Sequence, residues 1–165
     1  MRIRQTAIAL AALLAACTPL RPQVELATGV SLKDYNVFEV APVVDASGYT
    51  LFPWPIEDSL RLRLVDQLEH NKLTVHTPDA DSANPAGVLV LHGTLMSFRS
   101  GSYNLREPQT RIASRCVFVA YLVDKETGRQ VGRIQSGEDE VYMPFQVLMQ
   151  CARLVADEVA RQHKG

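Results

Sequence analysis

Residues Cys116 to Val123 (CVFVAYLV) limit how this chain can fold more than any other stretch. The run is apolar at every position and rich in β-branched and aromatic side chains. Alternation therefore puts apolar groups on both faces, as in a strand buried on both sides. We predict a central strand over Thr110 to Asp124, with a sheet built around it. Lys125-Glu126-Thr127-Gly128 predicts a turn, with Gly128 free to take a positive φ. Arg129 to Tyr142 then returns as a hairpin arm. Gly87 to Phe98 is a further strand rich in Val and Leu, in which Gly93 marks a bulge or a close approach.

Upstream, Tyr35 to Val44 alternates as a strand ending near Pro42, which suits an edge or a strand end. Asp45-Ala46-Ser47-Gly48 breaks it. Ile56, Leu60, Leu64 and Leu68 recur every four residues, while Arg61, Arg63, Asp66 and Glu69 mostly face away. This is an amphipathic helix opened by Pro55 and ending near Asn71-Lys72. Leu73 to His76 is a short strand, and Thr77 to Ala86 and Gly101 to Gln109 are loops. Pro144 opens a last helix with Val147 or Leu148, Cys151, Leu154, Val155 and Val159 on one face. Arg161, His163 and Lys164 suit its negative end. The order β-α-β-β-β-β-α predicts an α+β two-layer sandwich: a mainly antiparallel sheet of about five strands with two helices on one face. Val117, Val119, Tyr121 and Val123 then need cover on the other face, from a second protomer, a partner or the tether.

The start of the chain carries a different message. Arg2 and Arg4 precede an apolar stretch, Thr6 to Ala16 (TAIALAALLAA), that ends in small residues. It is too short to span a bilayer and has no polar face for an amphipathic helix. This is the arrangement of a secretory signal peptide over residues 1–16. Leu14-Ala15-Ala16-Cys17 at its end resembles the lipobox of bacterial lipoproteins. The resemblance implies that the Cys17 thiol takes a diacylglycerol, that cleavage falls before Cys17, and that the new amine takes an acyl chain. Two or three chains anchor a protein stably without spanning the membrane. Thr18, rather than Asp, follows Cys17; in the sorting rule of this class that implies the periplasmic face of the outer membrane. Residues 17–33 read as the lipidated cysteine and a tether, with Pro19, Pro22 and Gly29 as breakers. Val24, Leu26 and Val30 alternatively add a short edge strand. Residues 34–165 form the periplasmic domain.

Composition supports one globular domain and narrows its partners. The chain has 165 residues, 47% of them apolar and 21% charged, and a net charge of −1. No basic excess exists to neutralise a nucleic-acid backbone, so no nucleic acid is expected as a partner. The membrane, through the lipid anchor, and other envelope proteins are the expected partners, with a homo-oligomer as a further possibility.

Motifs for chemistry are sparse. His70, His76, His92 and His163 show no metal-ligand spacing, so no metal is expected. Glu138 and Glu140 share a strand face, with Asp139 opposite; they suit acid–base work, a cation or, as the plainer reading, a solvated strand end. Apart from the lipid on Cys17, no cofactor is expected, and no catalytic residue is assigned. Cys116 and Cys151 would sit in an oxidising compartment. They either form a disulfide between the central strand and the last helix or remain two buried thiols. Tyr49, Phe52 and Trp54, in a loop with Pro53 and Pro55, either form a partner patch or cap the core at the helix entry.

Leu14 to Cys17, Val88 to Phe98 (VLVLHGTLMSF) and Leu122 to Val131 (LVDKETGRQV) together resemble a family of bacterial envelope lipoproteins. Similar small αβ domains occur in the curli-secretion channel lipoprotein, in lipoprotein activators of cell-wall synthases and in auxiliary lipoproteins of lipid-transport ABC systems. The resemblance implies a non-enzymatic accessory or assembly role in the envelope and brings no catalytic residues. An auxiliary subunit of a lipid-transport ABC system is the alternative, and an envelope hydrolase is the alternative of another class.

Overall fold

The computed structural model describes residues 21–76, 85–101, 112–140 and 143–165, without the side chains of Asp139 and Glu140. The expected signal peptide, the expected lipobox with Cys17, and most of the two expected loops lie outside the described residues. The elements run β1 (Gln23–Leu26), β2 (Val37–Val40), β3 (Val44–Asp45), α1 (Ile56–His70), β4 (Val75–His76), β5 (Val88–Arg99), β6 (Ser114–Asp124), β7 (Gln130–Glu140) and α2 (Pro144–Lys164). A turn of 3-10 helix at Leu32–Asp34 follows β1.

One mixed sheet joins all seven described strands in the order β1-β7-β6-β5-β2-β4, with β3 pairing β5 beyond β2. The class is the expected α+β sandwich. The long pairings β5/β6 and β6/β7 are antiparallel, as is the short pairing β1/β7. The short pairings β2/β5, β2/β4 and β3/β5 are parallel. That parallel edge has a physical cause. Helix α1 separates β2 from β4, and a strand–helix–strand crossover returns the chain in its original direction.

The count of about five strands needs correcting to seven. Pro42 interrupts the expected Tyr35–Val44 strand, leaving β2 and β3 as separate pieces. The reading of residues 17–33 as a tether also needs correcting from Gln23 onward. Gln23 to Leu26 pair with Gln135 to Gly132 as an edge strand, and Val24 and Leu26 pack against the core.

Burial follows the periodicities. Ile56, Leu60, Leu64 and Leu68 form the buried stripe of α1. Val147, Leu148, Cys151, Val155 and Val159 are buried on α2, whereas Leu154 stays partly open. Cys116, Phe118, Ala120 and Leu122 of β6 are buried against this helical layer. Gly93 is a close approach: a Cβ there would lie 2.7 Å from Phe118 Cζ. The irregularity in β5 falls later, between Leu95 and Ser97. Gly128 takes a φ of +66° in the β6–β7 turn.

Two buried carboxylates are held by partners, whereas the buried Ser136 Oγ has no hydrogen-bond partner among the described residues. Glu39 is only 3% exposed and pairs with Lys125. Glu158 is pushed up by burial, but hydrogen bonds from Arg161 and Gln162 outweigh this and hold its carboxyl below the usual range.

Candidate functional site

The site is built where β3 gives way to α1. Asp45 Oδ1 accepts from Ser47 N at 2.8 Å, and Ser47 Oγ accepts from Tyr49 N at 3.2 Å. These short-range bonds turn the chain off the sheet, as Asp and Ser side chains do in turns. Tyr49 and Phe52 then fold back onto Phe98, near the end of β5. The ring centroids lie 4.7 Å apart for Tyr49–Phe52, 4.9 Å for Tyr49–Phe98 and 5.2 Å for Phe52–Phe98. Such edge and tilted contacts are favourable for aromatic rings. Trp54 meets Phe145, in the first turn of α2, edge-on at 5.1 Å.

Between these two aromatic groups lies an open groove of about 290 Å³. Leu51, Pro53, Pro144 and Leu148 complete its largely apolar wall, with the Tyr49 hydroxyl and Ser100 as its polar side chains. The three loop aromatics therefore divide. Tyr49 and Phe52 are half-buried and close the core, while Trp54 stays 41% exposed. Leu51 and Phe145 of the groove wall are 76% and 42% exposed, and Met143, just before α2, is 53% exposed. Phe98 and Phe145 were not among the predicted site residues. Both lie far downstream of the loop in the chain, and only the fold brings them to it. Pro144-Phe145 at a helix start was the available signal.

Other predicted residues lie elsewhere. Cys116 on β6 and Cys151 on α2 are placed as a disulfide with Cα atoms 6.8 Å apart, buried behind the groove. Glu138 stands opposite Cys116 in the β6/β7 register. The side chains of Asp139 and Glu140 lie outside the described residues. His92 is exposed opposite Tyr121, on the face away from the helices. His163 Nδ1 lies 2.9 Å from the Leu32 carbonyl, and its ring packs edge-on against Phe38 at 5.4 Å. Among the described residues, no three His, Cys, Asp or Glu side chains gather to hold a metal ion. No described helix is long and apolar enough to cross a membrane.

The opposite end of the sheet is polar. Tyr35 donates to Asp124 Oδ2 at 3.0 Å, while Asp124 Oδ1 accepts from Thr127 N at 2.7 Å and Thr127 Oγ1 at 2.8 Å. Burial, and next the bond to Asp124, push the Tyr35 hydroxyl up to about 12. The bonds from Thr127 hold the Asp124 carboxyl below its usual range.

No protein-family model matches the chain, and no curated protein matches it. Solved structures do. A variant of PelC from Paraburkholderia phytofirmans, a dodecamer, is 14% identical, with a TM-score of 0.61 over 87% of this chain and 99% of that one. A second PelC dodecamer from the same organism is 13% identical, with a TM-score of 0.59 over 81% and 95%. A Helicobacter pylori protein named as a neuraminyllactose-binding hemagglutinin homologue is 10% identical, with a TM-score of 0.51 over 89% of this chain and 91% of that one. What these proteins share with this chain is the fold.

Proposed function

We propose that this protein is a lipid-anchored lipoprotein of the outer membrane, held at the periplasmic face by Cys17, whose domain acts by binding rather than by catalysis. The observation that carries the binding role is the groove. Its walls are aromatic and aliphatic, the chemistry of a surface that excludes water from a partner rather than one that moves protons. The anchoring role rests on the signal peptide and the Leu14–Cys17 lipobox. Diacylglycerol on the thiol and an acyl chain on the new amine hold the chain, and confinement at the leaflet raises its effective concentration for envelope partners.

Self-assembly belongs to the same reading. PelC, whose fold this chain shares along nearly its whole protomer, forms dodecamers. Val117, Tyr121 and Val123 here are half-buried on the helix-free face of β6, an apolar stripe suited to a second copy. Cys116 and Cys151 stay bridged in the oxidising periplasm as a structural clamp.

The test is expression in a bacterium with two membranes, followed by fractionation and intact mass. The mature chain is expected in the outer membrane carrying the mass of a diacylglycerol and an acyl group on Cys17. Cys17→Ser is expected to be soluble in the periplasm. Equal membrane retention of both forms overturns the anchor. Light scattering of the soluble Cys17→Ser chain is expected to give a mass of several protomers, and a monomer at all concentrations removes the self-assembly reading.

A further inference from the structure

The exposed apolar side chains of the groove all lie at one end of the sheet, and the chain enters the domain toward that same end. β1 runs antiparallel to β7, with Gln23 opposite Gln135 and Leu26 opposite Gly132. Followed backward from Gln23, the line of β1 points along β7 toward Glu138. There β6 begins at Ser114 and β5 carries Phe98, opposite Cys116. Five residues lie between Cys17 and Gln23; that stretch of chain reaches at most about 20 Å. From β1 across β7 and β6 to β5 is three strand spacings, about 14 Å. A chain of that length lets an anchor at Cys17 lie at the groove end, the side from which β1 enters the sheet.

The side chains at that end suit a lipid. Leu51, Trp54, Met143 and Phe145 expose apolar surface, and Trp is favoured where hydrocarbon meets headgroups. On the helix-free side of the same end, Arg99 and Arg115 stand opposite each other in register, both exposed, with Asp139 next along on β7. These two guanidinium groups lie across the sheet from the groove but at the same end, where they would meet anionic headgroups if that end faced a leaflet.

We propose that this end of the domain rests on the anchoring leaflet and that its groove takes up a phospholipid acyl chain, with Trp54 and Phe145 at the hydrocarbon boundary and Arg99 and Arg115 at the headgroups. The proposal builds on the Cys17 anchor, and its test keeps the two separable. Trp54 is the only tryptophan of the chain, so its fluorescence reports this site alone. The lipidated mature chain is placed in vesicles of phosphatidylethanolamine and phosphatidylglycerol, with and without bromine on the acyl chains. The expected result is a blue-shifted Trp54 emission, quenched about twofold or more by bromine. In Phe145→Asp, and in Leu51→Asp, whose site is too exposed to affect folding, quenching is lost while the chain still floats with the vesicles. A chain that floats while Trp54 stays unquenched overturns the proposal. So does a blue shift that bromine does not quench and dilution reverses, since that places Trp54 against a protein. If the chain neither floats nor carries lipid mass, the anchor is overturned instead. The groove is then judged with short-chain diheptanoylphosphatidylcholine below its micellar range: a saturable Trp54 shift sustains it, and none overturns it.

Discussion

The two ends of the sheet are closed by opposite chemistry. At one end Tyr35, Asp124, Thr127, Glu39 and Lys125 satisfy one another through hydrogen bonds and an ion pair. At the other, Tyr49, Phe52 and Phe98 pack ring against ring and leave Leu51, Trp54 and Phe145 in water. A polar end whose donors and acceptors are already matched gains little by meeting a partner. An apolar end gains by every ångström of surface it hides. The difference teaches which end can gain from a partner: the aromatic end still has apolar surface to hide, while the polar end's groups already satisfy one another.

Four measurements break or sharpen that contrast. The largest effect is expected from Phe98→Ala, which removes the ring shared by Tyr49 and Phe52. A buried Phe truncated to Ala costs about 3–5 kcal/mol. Urea unfolding should show that loss; a change below about 1 kcal/mol would mean that the triad does not hold this end together. Next comes the clamp behind the groove. Cys116→Ala with Cys151→Ala opens a loop closed across 35 positions, and the chain-entropy estimate for such a loop is about 3–4 kcal/mol. The melting temperature of the double variant, beside that of the wild type under reduction, checks this. Equal melting of oxidised and reduced wild type would remove the clamp.

At the polar end the effects are smaller and depend on pH. Tyr35→Phe deletes one hydrogen bond and should cost about 1 kcal/mol. The Tyr35 hydroxyl is raised in the folded state to about 12 from an ordinary value of 10. Its contribution is therefore complete below pH 10 and is lost as pH rises through 12. Asp124 is shifted the other way, by the bonds from Thr127. Its contribution is present above the ordinary aspartate range and is lost as pH falls through its lowered folded value. Stability of Tyr35→Phe followed from pH 9 to 12 should decline less than wild type; parallel curves would show that neither the burial of the hydroxyl nor its bond to Asp124 is felt. The smallest effect on stability is expected from Leu51→Asp, within about 0.5 kcal/mol because the side chain is in water. The same change should abolish contact of Trp54 with vesicle lipid, so a silent stability change and a lost contact together separate the two ends.

How much of this was legible before folding depends on range. Ile56, Leu60, Leu64 and Leu68 announced a buried helix face because the signal repeats within four residues. Cys116 to Val123 announced a central strand because every position is apolar. Lys125 to Gly128 announced its turn through one glycine. Gln23 to Leu26 was harder: breakers flank it, and only the open edge of β7 makes those four residues a strand. The parallel edge was missed because direction is a property of pairs, and β2 meets β5 only far along the chain, Val37 against Val88. Of the groove, the loop aromatics were visible, but their division into Tyr49 and Phe52 inside and Trp54 outside was not. That division depends on Phe98 and Phe145, which no local pattern ties to the loop.

The sequence by itself therefore determined the periodic elements, the α+β class and the expectation of an anchor at Cys17, since each is written in neighbouring residues. Only the tertiary structure decided the order of strands in the sheet, the approach of Cys116 to Cys151, and the meeting of three distant aromatic segments at one end. These are contacts between parts of the chain brought close by burial of a common core, and their partners are chosen by space rather than by spacing.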